Sequence, residues 1–178
     1  MKTLVTGGCG FIGSNMVDRL IAEGHSVEVI DNLSSEFHDQ FYYNDEAKYH
    51  QFDISNYSDI EELFDGIDCV FHFAAESRIQ PCVQRPVFAL EVNTLGTCNV
   101  LQAAREHGVK RVMFSSSSSV YGLANMTLNE ICPPLKESMR TDCLNPYSVS
   151  KMAGEEMCRI YYELFGLETV SFRYFNVY

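Results

Sequence analysis

The sequence predicts an α/β protein built on a doubly wound parallel sheet with helices on both faces. Three observations carry that expectation. Short apolar runs alternate with amphipathic, helix-period segments along the chain, with no internal repeat of another kind. Glycines recur at three-residue spacing, Gly7, Gly10 and Gly13, directly after the first apolar run. An acidic residue, Asp31, closes the second run.

The first strand, Leu4-Val5, enters the glycines, and an amphipathic segment from Asn15 to Glu23 leaves them. Strand, turn and helix in that order are what a pyrophosphate-binding loop needs. Backbone N–H groups must approach the phosphates, and a helix N-terminus offers the positive end of its dipole. A Cβ at the tight positions is expected to hold the phosphates off. The spacing Gly-x-x-Gly-x-x-Gly is one residue longer at the front than the common Rossmann fingerprint, and a glycine-rich turn by itself is also compatible with a purely structural role. The second strand, Val27 to Asp31, supplies the discriminating signal. A carboxylate about 20 residues past the glycines is where an adenosine ribose would be held, and its charge would repel a 2′-phosphate. NAD is therefore expected over NADP, the plain alternative being that Asp31 only ends a strand.

The remaining elements follow in order. Asn32 to His50 has no clean period and reads as a loop with one helical turn. Tyr49 to Phe52 is expected as a third strand ending in Asp53-Ile54. Ile60, Leu63 and Phe64 recur at helical spacing, predicting a helix from Tyr57 to Phe64 with Ser55 or Asn56 as its cap and Gly66 beyond its end. Cys69 to Phe73 is a continuous apolar strand, as expected when both sheet faces are covered, and Ala74-Ala75 puts small residues at its carboxyl end. A long helix is predicted from Val87 to His107, stopped by Gly108. A fifth strand from Arg111 to Phe114 runs into the serines 115 to 119 and then Val120-Tyr121-Gly122. Serine runs are commonly linkers, but apolar residues on both sides make this one a buried strand end. Leu123 to Asn145 carries no sustained period and reads as a long loop of the kind used for lids or binding. Pro146 opens a helix that runs through Phe165 to Gly166, and Glu168 to Phe175 is the sixth strand.

Composition narrows the function classes. A length of 178 residues suits one domain with a sizeable core. No apolar run reaches the ~18 residues of a membrane span, and Met1-Lys2 leads directly into a strand, so a cytoplasmic protein without membrane association is expected. Thirteen basic residues against 24 acidic ones give a formal charge of −11, which opposes nonspecific attraction to nucleic acid. Seven cysteines without a Cys-x-x-Cys pair suggest neither a disulfide framework nor a zinc site, and no metal is expected. Cys9 lies inside the glycine loop, but no charged neighbour in sequence lowers its pKa, which argues against a redox role. His72 sits in an apolar strand and reads as a satisfied core imidazole.

The chemistry is carried by Tyr147-Ser148-Val149-Ser150-Lys151, which places a phenol and an ammonium one turn apart on one helix face. A tyrosine that titrates near ~10 is phenolate in only about one molecule in a thousand at neutral pH. Lowering that by ~3 units needs about 4 kcal/mol, roughly what one ammonium ~4 Å away supplies at an effective dielectric of ~20. An isolated Tyr-x-x-x-Lys is ordinarily a surface pair. Behind a dinucleotide loop and a serine-bearing strand end it reads as a proton-abstracting base, with Ser117 bonding the reacting oxygen.

Taken together, Thr6 to Ser14, Asp31-Asn32, Asp53-Ile54, His72 to Ala75, Asn93, Ser115 to Gly122, Tyr147 to Lys151 and Arg173 to Asn176 resemble the extended short-chain dehydrogenase/reductases that act on nucleotide sugars. Within them the chain is most similar to the UDP-glucose 4-epimerase group. The resemblance implies NAD held by Gly7, Gly10, Phe11, Ile12, Asp31, Asn32, Asp53, Ile54, Phe73, Ala74, Ala75, Asn93, Ser115, Tyr147, Lys151 and Tyr174. It implies Ser117, Tyr147 and Lys151 as catalytic residues, and Ser117, Phe175 and Asn176 against a UDP-sugar. The reaction it implies is removal of the 4-hydroxyl proton by Tyr147 with hydride transfer to NAD, rotation of the 4-keto sugar, and return of hydride to the other face. Related dehydratases and decarboxylases carry acidic residues just after the catalytic serine or threonine, where this chain has Ser118 and Ser119. Glu76, by contrast, departs from typical epimerases and matches the dehydratase pattern, so that subclass stays open. Arg78 is open between a phosphate contact and a surface role. A non-catalytic NAD-binding module is the reading from another class, and retention of Ser117, Tyr147 and Lys151 speaks against it.

Members of that family continue past the stretch matching Arg173 to Tyr178 into a smaller substrate-binding domain. The 178 residues are thus expected to form the NAD-binding domain with the catalytic residues, as a fragment or a natural short form that binds NAD and turns over sugar nucleotide poorly. A homodimer is expected, pairing the helices predicted at 87–107 and 146–165.

Overall fold

The structure, a computed structural model, describes residues 1–35, 40–125 and 133–178. Six parallel strands form one sheet in the order β3-β2-β1-β4-β5-β6: β1 Lys2–Thr6, β2 Ser26–Ile30, β3 Lys48–His50, β4 Cys69–His72, β5 Arg111–Ser117 and β6 Glu168–Tyr174. The predicted doubly wound sheet is the one found. Strand order reverses direction between β1 and β4, which opens a crevice at the carboxyl ends of those two strands.

Because successive side chains of a strand point to opposite faces, β1 supplies both halves of the core. Leu4 packs with Ile30, Val70, Val112 and Phe114 under the helices of one face, and Val5 packs with Val17, Val27 and Val29 on the other. The helices are α1 Phe11–Ala22, α2 Tyr57–Ile60, α3 Ile79–Gln84, α4 Pro86–Leu90, α5 Gly96–Glu106 and α6 Pro146–Phe165. A 3₁₀ turn, Glu61–Phe64, extends α2, and a π turn, Glu91–Leu95, joins α4 to α5 without a break in helical backbone.

Several expectations change in detail. Helix α1 begins at Phe11, inside the glycine motif, so Gly13 is a helical residue rather than the last residue of a turn. The third strand is Lys48–His50; Phe52, expected in it, is 40% exposed beyond its end. The predicted helix at 87–107 is α4, the π turn and α5 in succession, and α3 precedes it where no helix was expected. The serine run is the end of β5 followed by a 3₁₀ turn, Ser118–Tyr121. Of the two long loops, residues 36–39 and 126–132 lie outside the described residues. The segment at 40–47 contains a turn closed by the Ala47 amide on the Asn44 carbonyl.

Candidate active site

A cleft of about 1080 Å³ runs across the carboxyl edge of the sheet. Its floor is the glycine loop. Gly7 sits at φ +71°, and a Cβ there would fall 2.6 Å from the Ala74 amide nitrogen, while one on Gly13 would fall 2.1 Å from the Gly7 carbonyl oxygen. Both glycines are therefore demanded by the protein's own packing: β1 and β4 approach too closely at Gly7, and α1 seats on the loop through Gly13. The structural role that a glycine-rich turn can have is thus present here beside the expected clearance for phosphates. Gly10, Phe11, Ile12 and Gly13 line the cleft at the N-terminus of α1, the end that favours negative charge.

Asp31 follows β2 and lies in the cleft wall. One carboxylate oxygen accepts the Cys9 amide at 2.9 Å and the other the Leu33 amide at 2.9 Å, so Asp31 fixes the glycine loop as well as facing the cleft. Leu33 adopts φ 55° to make that contact. Asn32 lines the cleft and donates to Asp53 at 2.8 Å. Asp53 itself stands behind the wall. Burial would raise its pKa, but bonds from the Ser55 hydroxyl and amide and from Asn32 hold it below the usual carboxylate range. Ile54, beside it, reaches the cleft.

Asn93 is likewise behind the wall, at 2% exposure. Its Oδ1 accepts the Glu76 amide at 2.7 Å, and its Nδ2 donates to the Glu76 carbonyl and to Ser150 Oγ, each at 3.0 Å. The side chain expected to touch the cofactor is thus engaged in holding the loop after β4, where Phe73, Ala74, Ala75 and Glu76 line the cleft.

The far wall is β5 and α6. Helix α6 begins cleanly because Asn145 and Ser148 form a reciprocal capping box ahead of Pro146. That start aims Tyr147 at the cleft and brings Lys151 one turn below it. Register pairs Ser117 with Tyr174, so Ser115, Ser117, Tyr174, Phe175 and Asn176 share this end. The Ser117 hydroxyl accepts the Ser119 amide at 3.1 Å and lines the same cleft as Tyr147, near enough to favour the phenolate. Lys151 is 4% exposed and donates to the Ser115 carbonyl at 2.9 Å.

The electrostatics of this pair differ from the sequence expectation. Burial lowers the Lys151 pKa from 10.5 to about 8, and burial raises that of Tyr147 above 10 despite the nearby Ser117 hydroxyl. The ammonium lies 5.9 Å from the Tyr147 ring centroid and is directed at a backbone carbonyl. The loss of water around the phenol outweighs the help it has from Ser117.

Other functional groups come from contacts no motif announces. Glu155, one turn beyond Lys151 on α6, accepts Ser116 Oγ at 2.5 Å and Arg173 at 2.7 and 2.9 Å, tying the serine strand to β6 behind the site. Glu76 faces the cleft with a carboxylate oxygen 3.7 Å from Arg85. Arg78, left open between a phosphate contact and the surface, also lines the cleft. Cys9 is 1% exposed, and burial together with the nearby Asp31 charge pushes its thiol up to about 12.

A profile of the NAD dependent epimerase/dehydratase family matches residues 3–178. The chain belongs to that family. A UDP-glucose 4-epimerase of Halalkalibacterium halodurans is 38% identical over 99% of this chain and 51% of its own length. The crystal structure of a Thermotoga maritima UDP-glucose 4-epimerase with UDP-glucose superposes with a TM-score of 0.91 at 33% identity, covering 100% of this chain and 56% of that one. A Thermus thermophilus UDP-glucose 4-epimerase in complex with NAD gives 0.89 at 33% identity, with the same coverage. The chain spans about half the length of the curated relatives it matches. NAD is the cofactor of the epimerase family, and this cleft fits it: the Gly7 turn leaves backbone facing the space, α1 presents its N-terminus, and Asp31 stands at the end of β2. Among the described residues, no helix is long and apolar enough to cross a membrane.

Proposed function

We propose that the chain supplies the NAD site and the proton-transfer residues of a nucleotide-sugar 4-epimerase that works on a UDP-sugar through a 4-keto intermediate. The observation that carries this is the opening of Tyr147 and Ser117 onto the same cleft as the Gly7 turn and Asp31. NAD, when bound, would supply the hydride acceptor and donor. Tyr147 takes the hydroxyl proton and gives it back, Ser117 bonds the reacting oxygen, and Lys151, held by the Ser115 carbonyl, keeps a positive charge beneath the phenol. Gly7, Gly10, Phe11 and Ile12 would face the pyrophosphate and Asp31 the adenosine ribose. Ser115 and Tyr174 would border the nicotinamide, and Phe175 and Asn176 the sugar. The proposal includes a cytoplasmic setting, which the free thiols of the six described cysteines suit, and a homodimer through α5 and α6, where Leu164 and Tyr162 are exposed.

The test is NAD titration followed by addition of UDP-glucose or UDP-galactose, with absorbance of bound NADH and the sugar product as readouts. The expected result is tighter binding of NAD than NADP, transient NADH and a C4 epimer, all chemistry vanishing in Tyr147→Phe while NAD still binds. Binding without any NADH signal would leave a passive dinucleotide module. Glu76 in the cleft wall favours a 4,6-dehydratase as the second reading, and a 4-keto-6-deoxy product in place of the epimer would establish it.

A further inference from the structure

A buried chain of hydrogen bonds joins the cofactor side of the sheet to the helix that carries Tyr147. Thr6 immediately precedes the Gly7 turn, and its Oγ1 accepts the Ala74 amide at 3.3 Å and lies 2.7 Å from His72 Nδ1. His72 Nε2 lies 2.9 Å from Thr97 Oγ1, and Thr97 donates to the Asn93 carbonyl at 2.6 Å. Asn93 Nδ2 donates to Ser150 Oγ at 3.0 Å, and Ser150 donates to the Tyr147 carbonyl at 2.7 Å. Thr6, His72, Thr97, Asn93 and Ser150 are each at most 2% exposed.

The proton inventory gives the chain one direction. The single hydroxyl proton of Thr97 goes to a carbonyl, which only accepts, so Thr97 must accept from imidazole Nε2–H. Nδ1 of the neutral ring is then an acceptor, and Thr6 donates to it. With the other ring tautomer, Nε2 and the Thr97 oxygen would both be acceptors, or the Asn93 carbonyl would lose its hydroxyl donor, and an unsatisfied buried group costs about 1–3 kcal/mol. Asn93 lies in the π turn and Thr97 one turn on, at the start of α5, so the Thr97 hydroxyl bonds the i−4 carbonyl.

We propose that His72, Thr97 and Asn93 are positioning residues that set the first turn of α6, and with it the Tyr147 phenol, in register with the dinucleotide turn after Thr6. This rests on the assignment of Tyr147 as the base, and none of the three touches the reacting atoms. A chain fixed at Ala74 and Thr6 on one side and at the Tyr147 carbonyl on the other spans the cleft from below. A displacement of ~1 Å at such a site is enough to cost ~100-fold in rate.

The test is the titration of the Tyr147 phenol in the NAD-saturated protein, followed by NMR of ¹³Cζ-labelled tyrosine and assigned with Tyr147→Phe. Cys82 is the titratable group acting on both Tyr147 and Lys151, and the Lys151 charge acts on His72. Thr97→Val keeps the volume and removes both bonds, whereas Thr97→Ser restores them. The expected result is a phenol midpoint raised in Thr97→Val and returned to the wild-type value in Thr97→Ser, with NAD affinity unchanged in both. Should Thr97→Val fail to fold by circular dichroism, Ser150→Ala breaks the chain at its other end and carries the same expectation. A folded Thr97→Val or Ser150→Ala protein with an unshifted midpoint overturns the proposal, as does a Thr97→Ser midpoint displaced as far as that of Thr97→Val. Failure of wild-type protein to bind NAD would instead overturn the function proposed above.

Discussion

Burial pushes Lys151 toward its neutral form, and below about pH 10.5 the folded protein bears that as a stability penalty. Lys151 releases its proton near 8 when folded and near 10.5 when unfolded, so between those values the unfolded chain holds more protons and stability rises with pH. Lys151→Met should remove that rise and raise the cofactor-free stability at pH 7 by about 1–3 kcal/mol. Urea unfolding of both proteins at pH 7 and pH 10 tests this; a variant less stable at pH 7 would show that the ammonium is a net stabiliser. His72 runs the same way in acid. Burial, and then the Lys151 charge, lowers its pKa from 6.5 to about 3. The folded state therefore binds fewer protons below 6.5, and the stability contribution present above that value is lost as pH falls toward 3, at about 1.4 kcal/mol per unit. In His72→Gln, an amide oxygen and N–H can replace the two ring contacts, and the wild type should lose unfolding free energy relative to the variant steadily from pH 6.5 down to pH 4. Parallel pH curves would sink that assignment.

At the scale of elements, α6 decides where the base and its lysine stand. Gly154 is the residue that lets this helix approach the sheet, since a Cβ there would fall 2.3 Å from Cζ of the buried Phe114. Alanine would gain about 1 kcal/mol of helix propensity. Overpacking costs typically ~1–3 kcal/mol, and Phe114 has no room to retreat because it packs against His72 at 5.7 Å and Lys151 at 5.3 Å. Gly154→Ala should therefore lower the melting temperature, a direction opposite to that of an exposed helix glycine. Helix α6 was also the element most legible in the sequence: Pro146 and Gly166 mark its ends, and Gly166 caps it in the left-handed region at φ 73°. The π turn was not legible, because it keeps the apolar face of α4 and α5 nearly continuous while changing only the local hydrogen bonds. Helix α3 escaped because it has six residues and a proline, too short for any period to show. The third strand was misplaced by the apolar Phe52, whereas pairing with β2 ends at His50.

At the scale of the molecule, the sheet order explains why residues as far apart as Gly7 and Tyr174 meet: β1, β2, β4, β5 and β6 all end on one edge. Site residues readable from sequence are those that the chemistry requires at such ends, namely Gly7, Asp31, Ser117, Tyr147 and Lys151. The Ser116–Glu155–Arg173 cluster and the His72 chain were illegible because they join elements whose adjacency only the fold creates. Asp53 and Asn93 were expected on NAD from the family resemblance, whereas their partners within the protein were not legible. The global charge of −11 then poses a last question, how an anionic dinucleotide is admitted. Screening acts on charges separated by more than about 10 Å at 0.1 M salt, whereas backbone amides and a helix N-terminus act within a hydrogen bond's length. If the affinity comes from the Gly7 turn and α1, salt should remove the long-range repulsion and leave the short-range attraction intact. NAD affinity by calorimetry is therefore expected to stay level or strengthen between about 0.01 M and 0.3 M NaCl. A tenfold loss would mean that surface cations, Arg78 and Arg85 first among those lining the cleft, carry the diphosphate instead.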